Sequence, residues 1–328
     1  MKHLNFRKDG VRQKKIPVHV DVLLLEDDID YAVVLKQVIE SRLLAKVTIV
    51  EKAEQAKILL QNNPDKFFIG ITSVFDLLGL EKVDLLGEFG LPIIAIVDHF
   101  DDEMRDQLIK RHVIDYVVKG NRFERAYICD LISRVIKNCD IKVLVVDDSK
   151  VSRFVLEREL CLQQFEVLHA CNGEEALEVL SAQTGIKLVL VDSKMPVMAG
   201  YAFVELARKL YSKDELIIIG ISGSQDARTA VQFLKAGAND FIAKPFNYEM
   251  LLCRISRNLD MLDAIELAKN LSNTDYLSNL YNRRYFFERG DKLLATLRLG
   301  SPLTVMMIDI DYLKKINDGY GHDVGDLV

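Results

Sequence analysis

The sequence predicts an α/β protein with two doubly wound parallel sheets in tandem, a long connecting helix and a shorter α+β unit. Three observations carry this. Apolar runs recur, each ending in polar or acidic residues, as strands buried on both faces do. Stretches of helical periodicity separate them, giving strand–helix alternation. The pattern also occurs twice. VDVLLLEDD (20–28) returns as IKVLVVDDS (141–149), and FIGIT (68–72) returns as LVLVD (188–192). IIAIVD (93–98) returns as IIIGIS (217–222), and IDYVVKG (114–120) as NDFIAKP (239–245).

Residues 1–17 hold six Lys or Arg against one Asp and read as a basic, flexible, solvated tail. A first unit spans 18–138, with strands expected at 20–28, 46–50, 66–72, 91–98 and 114–120 and a closing helix over Glu124 to Lys137. The second unit spans 139–246, and its last helix runs on as a linker helix through 247–271. Leu252, Ile255, Leu259 and Leu262 follow 4-3 spacing there, and Ile265, Ala268 and Leu271 continue at three-residue steps. Up to about residue 259 this stripe is expected to pack on its own sheet; beyond that a two-stranded seam with a second copy is expected. Residues 272–328 offer a helical stretch with Leu294 and Leu297 beyond it, then an apolar strand, PLTVMMIDID (302–311), ending in acids. Fewer than 60 residues with one clear strand is short for an independent core.

The chain has 328 residues, 49% hydrophobic and 28% charged, with a net charge of −6. That bulk balance argues against nucleic-acid binding. The five cysteines show no metal-ligand spacing and suggest reduced thiols in a cytoplasmic protein. No apolar run reaches membrane-spanning length, so no membrane insertion is expected.

In a doubly wound sheet the C-terminal ends of strands one and three are neighbours. Asp147 and Asp148 are therefore expected beside Asp192, where converging carboxylates call for a hard divalent ion such as Mg²⁺. Ser222 and Lys244 end the next two strands, bringing a hydroxyl and an ammonium suited to phosphoryl oxygens. The plain alternative for Asp192 alone is an acid closing a strand.

VLVVDDS, LVLVDSKMP, IIGIS and FIAKP together resemble a receiver domain of two-component signalling, a flavodoxin-like (βα)5 fold. The resemblance implies that Asp192 accepts a phosphoryl group from a histidine kinase or phosphotransfer protein. It implies that Asp147, Asp148, Asp192 and the Lys194 carbonyl hold Mg²⁺, that Ser222 and Lys244 bind phosphoryl oxygens, and that Phe241 is a switch aromatic. Ala199 departs from the acidic residue common before that glycine.

The first unit resembles a receiver that has lost this chemistry. Glu26, Asp27 and Lys119 persist, but strand three ends in Ile71, Thr72 and Ser73 without a carboxylate. Asp76 lies too far along to substitute. Asp98 is expected in place of the strand-four hydroxyl, Gly120 replaces proline, and Lys119 is expected to pair with Glu26, Asp27 or Asp98. A scaffold or an adaptor for dimerisation or docking fits this unit.

TDYLSNLYNRRYF (274–286) and DIDYLKKINDGYGHDVGD (309–326) resemble the first half of a GGDEF domain, the diguanylate cyclase module. The resemblance implies that Asp309 and the Ile310 carbonyl bind Mg²⁺. Main-chain groups near Tyr312 and Leu313, with Lys314, would approach the GTP triphosphate, and Asn317 and Asp326 would recognise guanine. Departures are Tyr312-Leu313 and, for the common Thr-Gly, Ser278-Asn279. The signature turn is expected past Val328, so the chain as given is expected to be inactive as a cyclase. The implied whole is a dimeric response regulator controlling conversion of two GTP to cyclic di-GMP. The alternative is a non-enzymatic receiver adaptor or phosphate sink with a vestigial GTP-binding tail.

Overall fold

A computed structural model describes residues 20–76, 79–99, 101–223, 227–275, 277–278, 280–296 and 303–327. The expected tail at 1–17, together with Asn279 and Leu297, lies outside the described residues. The chain divides into two compact units, Met1–Asn258 and Leu259–Val328.

The first unit holds two five-stranded parallel sheets. One contains β1 (Val20–Leu25), β2 (Ala45–Val50), β3 (Ile69–Ser73), β4 (Ile93–Val97) and β5 (Asp115–Val118), in the order β2-β1-β3-β4-β5. Its helices are α1 (Ile29–Arg42), α2 (Ala53–Asn62), α3 (Leu80–Glu88), α4 (Asp102–Lys110) and α5 (Glu124–Asn138). The other contains β6 (Lys142–Val146), β7 (Glu166–Ala170), β8 (Ile186–Asp192), β9 (Ile217–Ser222) and β10 (Asp240–Ala243). Its order is β10-β9-β8-β6-β7, with helices α6 (Lys150–Leu162), α7 (Gly173–Ala182), α8 (Gly200–Leu210) and α9 (Ala227–Ala236).

The two sheets have the same strand order because the same local rules act twice. Every residue of β4 and of β9 is buried, as strands covered by helices on both faces must be. Burying each such Val, Leu or Ile side chain contributes on the order of 2 kcal/mol. The residue following each acid pair caps the first helix: Asp28 accepts from the Tyr31 amide and Ser149 from the Ser152 amide. β7 has no counterpart in the sequence reading, because FEVLHA mixes polar and apolar residues. It is the half-buried edge strand that pairs with β6.

The register changes how the two halves correspond. Leu25 pairs with Thr72 as Val146 pairs with Val191, and Ser73 faces Ile96 as Asp192 faces Ile221. The counterpart of Asp192 is therefore Ser73, not Thr72. The Lys119 amide donates to the Val97 carbonyl as the Lys244 amide donates to that of Ser222. Val97, rather than Asp98, therefore holds the hydroxyl position.

α10 (Tyr248–Asn273) is an unbroken helix of 26 residues, about 39 Å long. Leu251, Ile255, Leu259 and Leu262 are buried along it, so Leu251 takes the core-facing place expected of Leu252, which is half-buried. Leu267 and Leu271, further on, are exposed. In the second unit follow α11 (Arg283–Thr296), α12 (Leu313–Tyr320) and α13 (His322–Gly325). The Arg284 guanidinium and the Asn282 amide donate to the Ser272 carbonyl, tying the start of α11 to the end of α10. The strand expected at 302–311 is not formed among the described residues 303–311. Residues 303–310 pair with no other strand among the described residues, and Met307 is 95% exposed. An apolar run becomes a strand only when a neighbour satisfies its backbone groups. Among the described residues no helix is long and apolar enough to cross a membrane.

Candidate functional site

β6, β8, β9 and β10 run parallel and end along one edge of the second sheet, so their terminal side chains share one place. Lys244, just past β10, reaches 2.8 Å from Asp192 Oδ1 and 3.1 Å from Asp147 Oδ2. Burial works against the Lys244 charge, yet the hydrogen bonds and fields of Asp192 and Asp147 hold its pKa above the ordinary lysine value. The remaining oxygens are oriented from the backbone. The Lys194 amide donates to Asp192 Oδ2 at 2.8 Å and the Ser149 amide to Asp147 Oδ1 at 2.8 Å.

Ser222 is fully buried, and its Oγ lies 2.8 Å from that of Ser193, which donates to it. Phe241 is half-buried, its ring 5.5 Å from that of Phe233 and tilted by 47°. Asp148 is exposed and stands outside this knot. Two participants escape sequence reasoning. Ser193 is linked to Ser222 only by the packing of β8 on β9. Arg153 donates to the backbone carbonyls of Asp147 at 2.6 Å and Asp148 at 3.2 Å, and a lone arginine one turn into a helix carries no signal of that.

Among the described residues no three His, Cys, Asp or Glu side chains form a group that could hold a metal. Asp147 and Asp192 converge with Lys244 between them. Two carboxylates joined by backbone carbonyls and water form the hard oxygen set that Mg²⁺ takes, so the donor set fits that ion.

In the second unit, Asp309 and Ile310 lie in the exposed 303–310 segment. Tyr312, which follows, has φ 63°, a left-handed conformation uncommon for a bulky residue. Lys314 and Asn317 are three apart on α12 and so share a face. Asn317 Oδ1 is buried and has no hydrogen-bond partner among the described residues. Asp326 is exposed beyond α13.

The matching edge of the first sheet is built differently. Ser73 stands at the acceptor position and Val97 at the hydroxyl position, both buried. Lys119 pairs with Asp28 at 3.3 Å, correcting the expected partners Glu26, Asp27 and Asp98. Its ammonium also lies 4.2 Å from the Tyr31 ring centroid and 5.0 Å from that of Phe75. Asp27 is already held by Lys82 at 2.5 Å, and Asp76 and Asp98 line a separate cavity of about 200 Å³. Gly120 explains the missing proline. Its φ of 87° and its amide, which donates to Glu124 Oε2 at 2.6 Å, are both denied to proline.

Glu26 is fully buried, and one of its oxygens accepts from the Asp28 amide at 3.0 Å. Burial pushes its pKa above 4.5, outweighing the Asp28 hydrogen bond and the Lys119 field. The folded state thus binds this proton more tightly than the unfolded chain does. The resulting stability is fully present below about pH 4.5 and is lost as the pH rises through the raised folded value. Glu26→Gln is therefore expected to be more stable than wild type at pH 7 by ~1 kcal/mol, and to lose that advantage near pH 4. Urea denaturation at the two pH values measures this; a less stable Gln variant at pH 7 would contradict it.

Comparison with known proteins identifies two kinds of domain in the chain. The family model described as response regulator receiver domain matches residues 143–256, and that described as diguanylate cyclase, GGDEF domain matches 272–328. The chain is 30% identical over 195 residues to response regulator PleD of Caulobacter vibrioides, covering 57% of this chain and 42% of PleD. It is 28% identical over 148 residues to a cyclic di-GMP phosphodiesterase of Thermotoga maritima, covering 45% of this chain and 37% of that protein. The matched stretches thus span less than half of either relative. The solved structure of a two-component system response regulator/GGDEF domain protein aligns with a TM-score of 0.65 at 33% identity, covering 74% of this chain and 99% of that one. The chain belongs to the response regulators in which receiver domains precede a GGDEF domain.

Proposed function

We propose that this response regulator is switched by phosphorylation of Asp192 and that its output is a diguanylate cyclase. The supporting observation is the Lys244 ammonium held between Asp192 and Asp147 at the sheet edge. In this reading 18–138 is a degenerate receiver and 139–246 the phosphoacceptor receiver. Residues 247–271 are the linker helix and 272–328 the first part of the GGDEF domain.

A histidine kinase or phosphotransfer protein presents a phosphohistidine; its P–N bond breaks as a P–O bond forms to an Asp192 oxygen, and the imidazole leaves. Asp147, Asp192 and the Lys194 carbonyl, with Asp148 nearby, would hold Mg²⁺, which supplies charge neutralisation for the incoming phosphoryl oxygens. Lys244 neutralises a phosphoryl oxygen and Ser222 hydrogen-bonds another. Pulling Ser222 inward, toward the phosphoryl oxygens, breaks its bond with Ser193, and Phe241 moves into the space released.

On the output side, Asn317 Oδ1 is an acceptor left open for a guanine donor, and Asp326 offers a second. Lys314 and the left-handed backbone at Tyr312 approach the phosphates of GTP, with Asp309 and the Ile310 carbonyl as oxygen donors for Mg²⁺. Dimerisation along α10 past Leu262 would bring two GTP-loaded halves together in a cytoplasmic homodimer.

The test is GTP turnover by the protein with its complete GGDEF domain, with and without phosphodonor. Cyclic di-GMP formation is expected to rise about tenfold with the donor. No product in either condition overturns the cyclase reading and leaves a phosphate sink or docking adaptor.

A further inference from the structure

The first receiver has no acceptor carboxylate, yet its α4–β5 face is not idle. Arg105 on α4 donates through Nε to both carboxylate oxygens of Glu249, at 3.0 and 3.3 Å, and through Nη2 to one of them. Glu249 belongs to the first turn of α10 and is oriented a second time by the Asn247 amide at 2.9 Å. Burial alone would raise the Glu249 pKa, but the hydrogen bonds from Arg105 and Asn247 bring it below the ordinary glutamate value. Further contacts join the first receiver to α6 and the residue after it. Gln163, just past α6, donates to the Ile114 carbonyl at 3.1 Å, and its own carbonyl accepts from the buried Asn138 at 2.9 Å. His112 lies 3.9 Å from Glu159.

Glu249 follows Lys244 by five positions, across the loop that leaves the candidate phosphoryl site. The segment that Arg105 grips therefore begins five residues from the side chain that contacts Asp192 and Asp147. We propose that the α4–β5 face of the first receiver is a docking surface for the start of α10, with Arg105 as its anchor. The degenerate receiver so holds the first turn of the output helix and feels the state of Asp192 through it. The second half of this proposal rests on Asp192 being the acceptor; the first half does not.

Hydrogen exchange on the full chain separates the two. In the unphosphorylated protein, Arg105→Ala and Glu249→Gln are each expected to speed exchange over residues 250–257 roughly fivefold, the scale of a partly exposed charged pair. The double reversal Arg105→Glu with Glu249→Arg is expected to restore wild-type exchange. Unchanged exchange in both single variants, or a reversal no better than either, overturns the docking proposal. Beryllofluoride, a phosphoryl mimic, is then added. Wild type is expected to show altered exchange both in β9–β10 and in α4, and Arg105→Ala in β9–β10 only. A wild type that responds in β9–β10 but not in α4 overturns the coupling. No response anywhere counts against Asp192 as the acceptor, and the unphosphorylated comparison still decides the docking.

Discussion

Asp192→Asn is expected to abolish labelling of the chain by a small-molecule phosphodonor such as acetyl phosphate. Asparagine keeps the shape and can still accept from the Lys194 amide, which donates to Asp192 Oδ2 at 2.8 Å. It removes the charged nucleophilic oxygen and weakens the 2.8 Å contact with Lys244. The first sheet offers no substitute, because Ser73 and Val97 occupy the equivalent acceptor and hydroxyl positions. Lys244→Ala is the informative companion. It leaves Asp147 and Asp192 facing each other without the ammonium between them, so labelling is expected to slow while the acceptor remains. Hydroxylamine-labile label measured by mass and by phosphate counting reads both variants. Labelling of Asp192→Asn at the wild-type level would move the acceptor to another carboxylate, with exposed Asp148 the first to test.

Gly200→Ala is expected to cost about 3 kcal/mol of stability and, with it, correct placement of Asp192. A Cβ at Gly200 would lie 2.2 Å from the Asp192 backbone oxygen and 2.7 Å from the Phe233 ring. The first of these is backbone and cannot swing aside. The Gly200 amide meanwhile donates to the Ser193 carbonyl at 3.2 Å, so α8 begins pressed directly against the end of β8. Relief of the clash requires α8 or the end of β8 to shift, and either displaces Asp192 from Lys244. Urea denaturation gives the loss, and phosphodonor labelling of the folded fraction gives the effect on the site. A variant within ~0.5 kcal/mol of wild type would show that α8 is free to slide.

The sequence by itself determined the α/β class, the tandem repeat, the long helix and which strand ends meet at the candidate phosphoryl site. These are local properties: a buried parallel strand needs a continuous apolar run, and the sheet's crossovers bring strand ends to one edge. It also showed that strand three of the first receiver ends without a carboxylate, which can be seen without a structure. Only the tertiary structure decided which residues stand opposite one another. A loop of altered length hides a one-residue slip, so Thr72 and Asp98 gave way to Ser73 and Val97 once the ladders were in view. Nor does spacing say which of several acids a lysine meets. Lys119 turned to Asp28 and two aromatic rings because Lys82 already holds Asp27. The apolar run after residue 302 shows the same limit, since strand propensity is local but its ladder must come from a neighbour. Arg105 and Glu249 are 144 residues apart and carry no shared pattern; they become partners only where the first receiver packs against the start of α10.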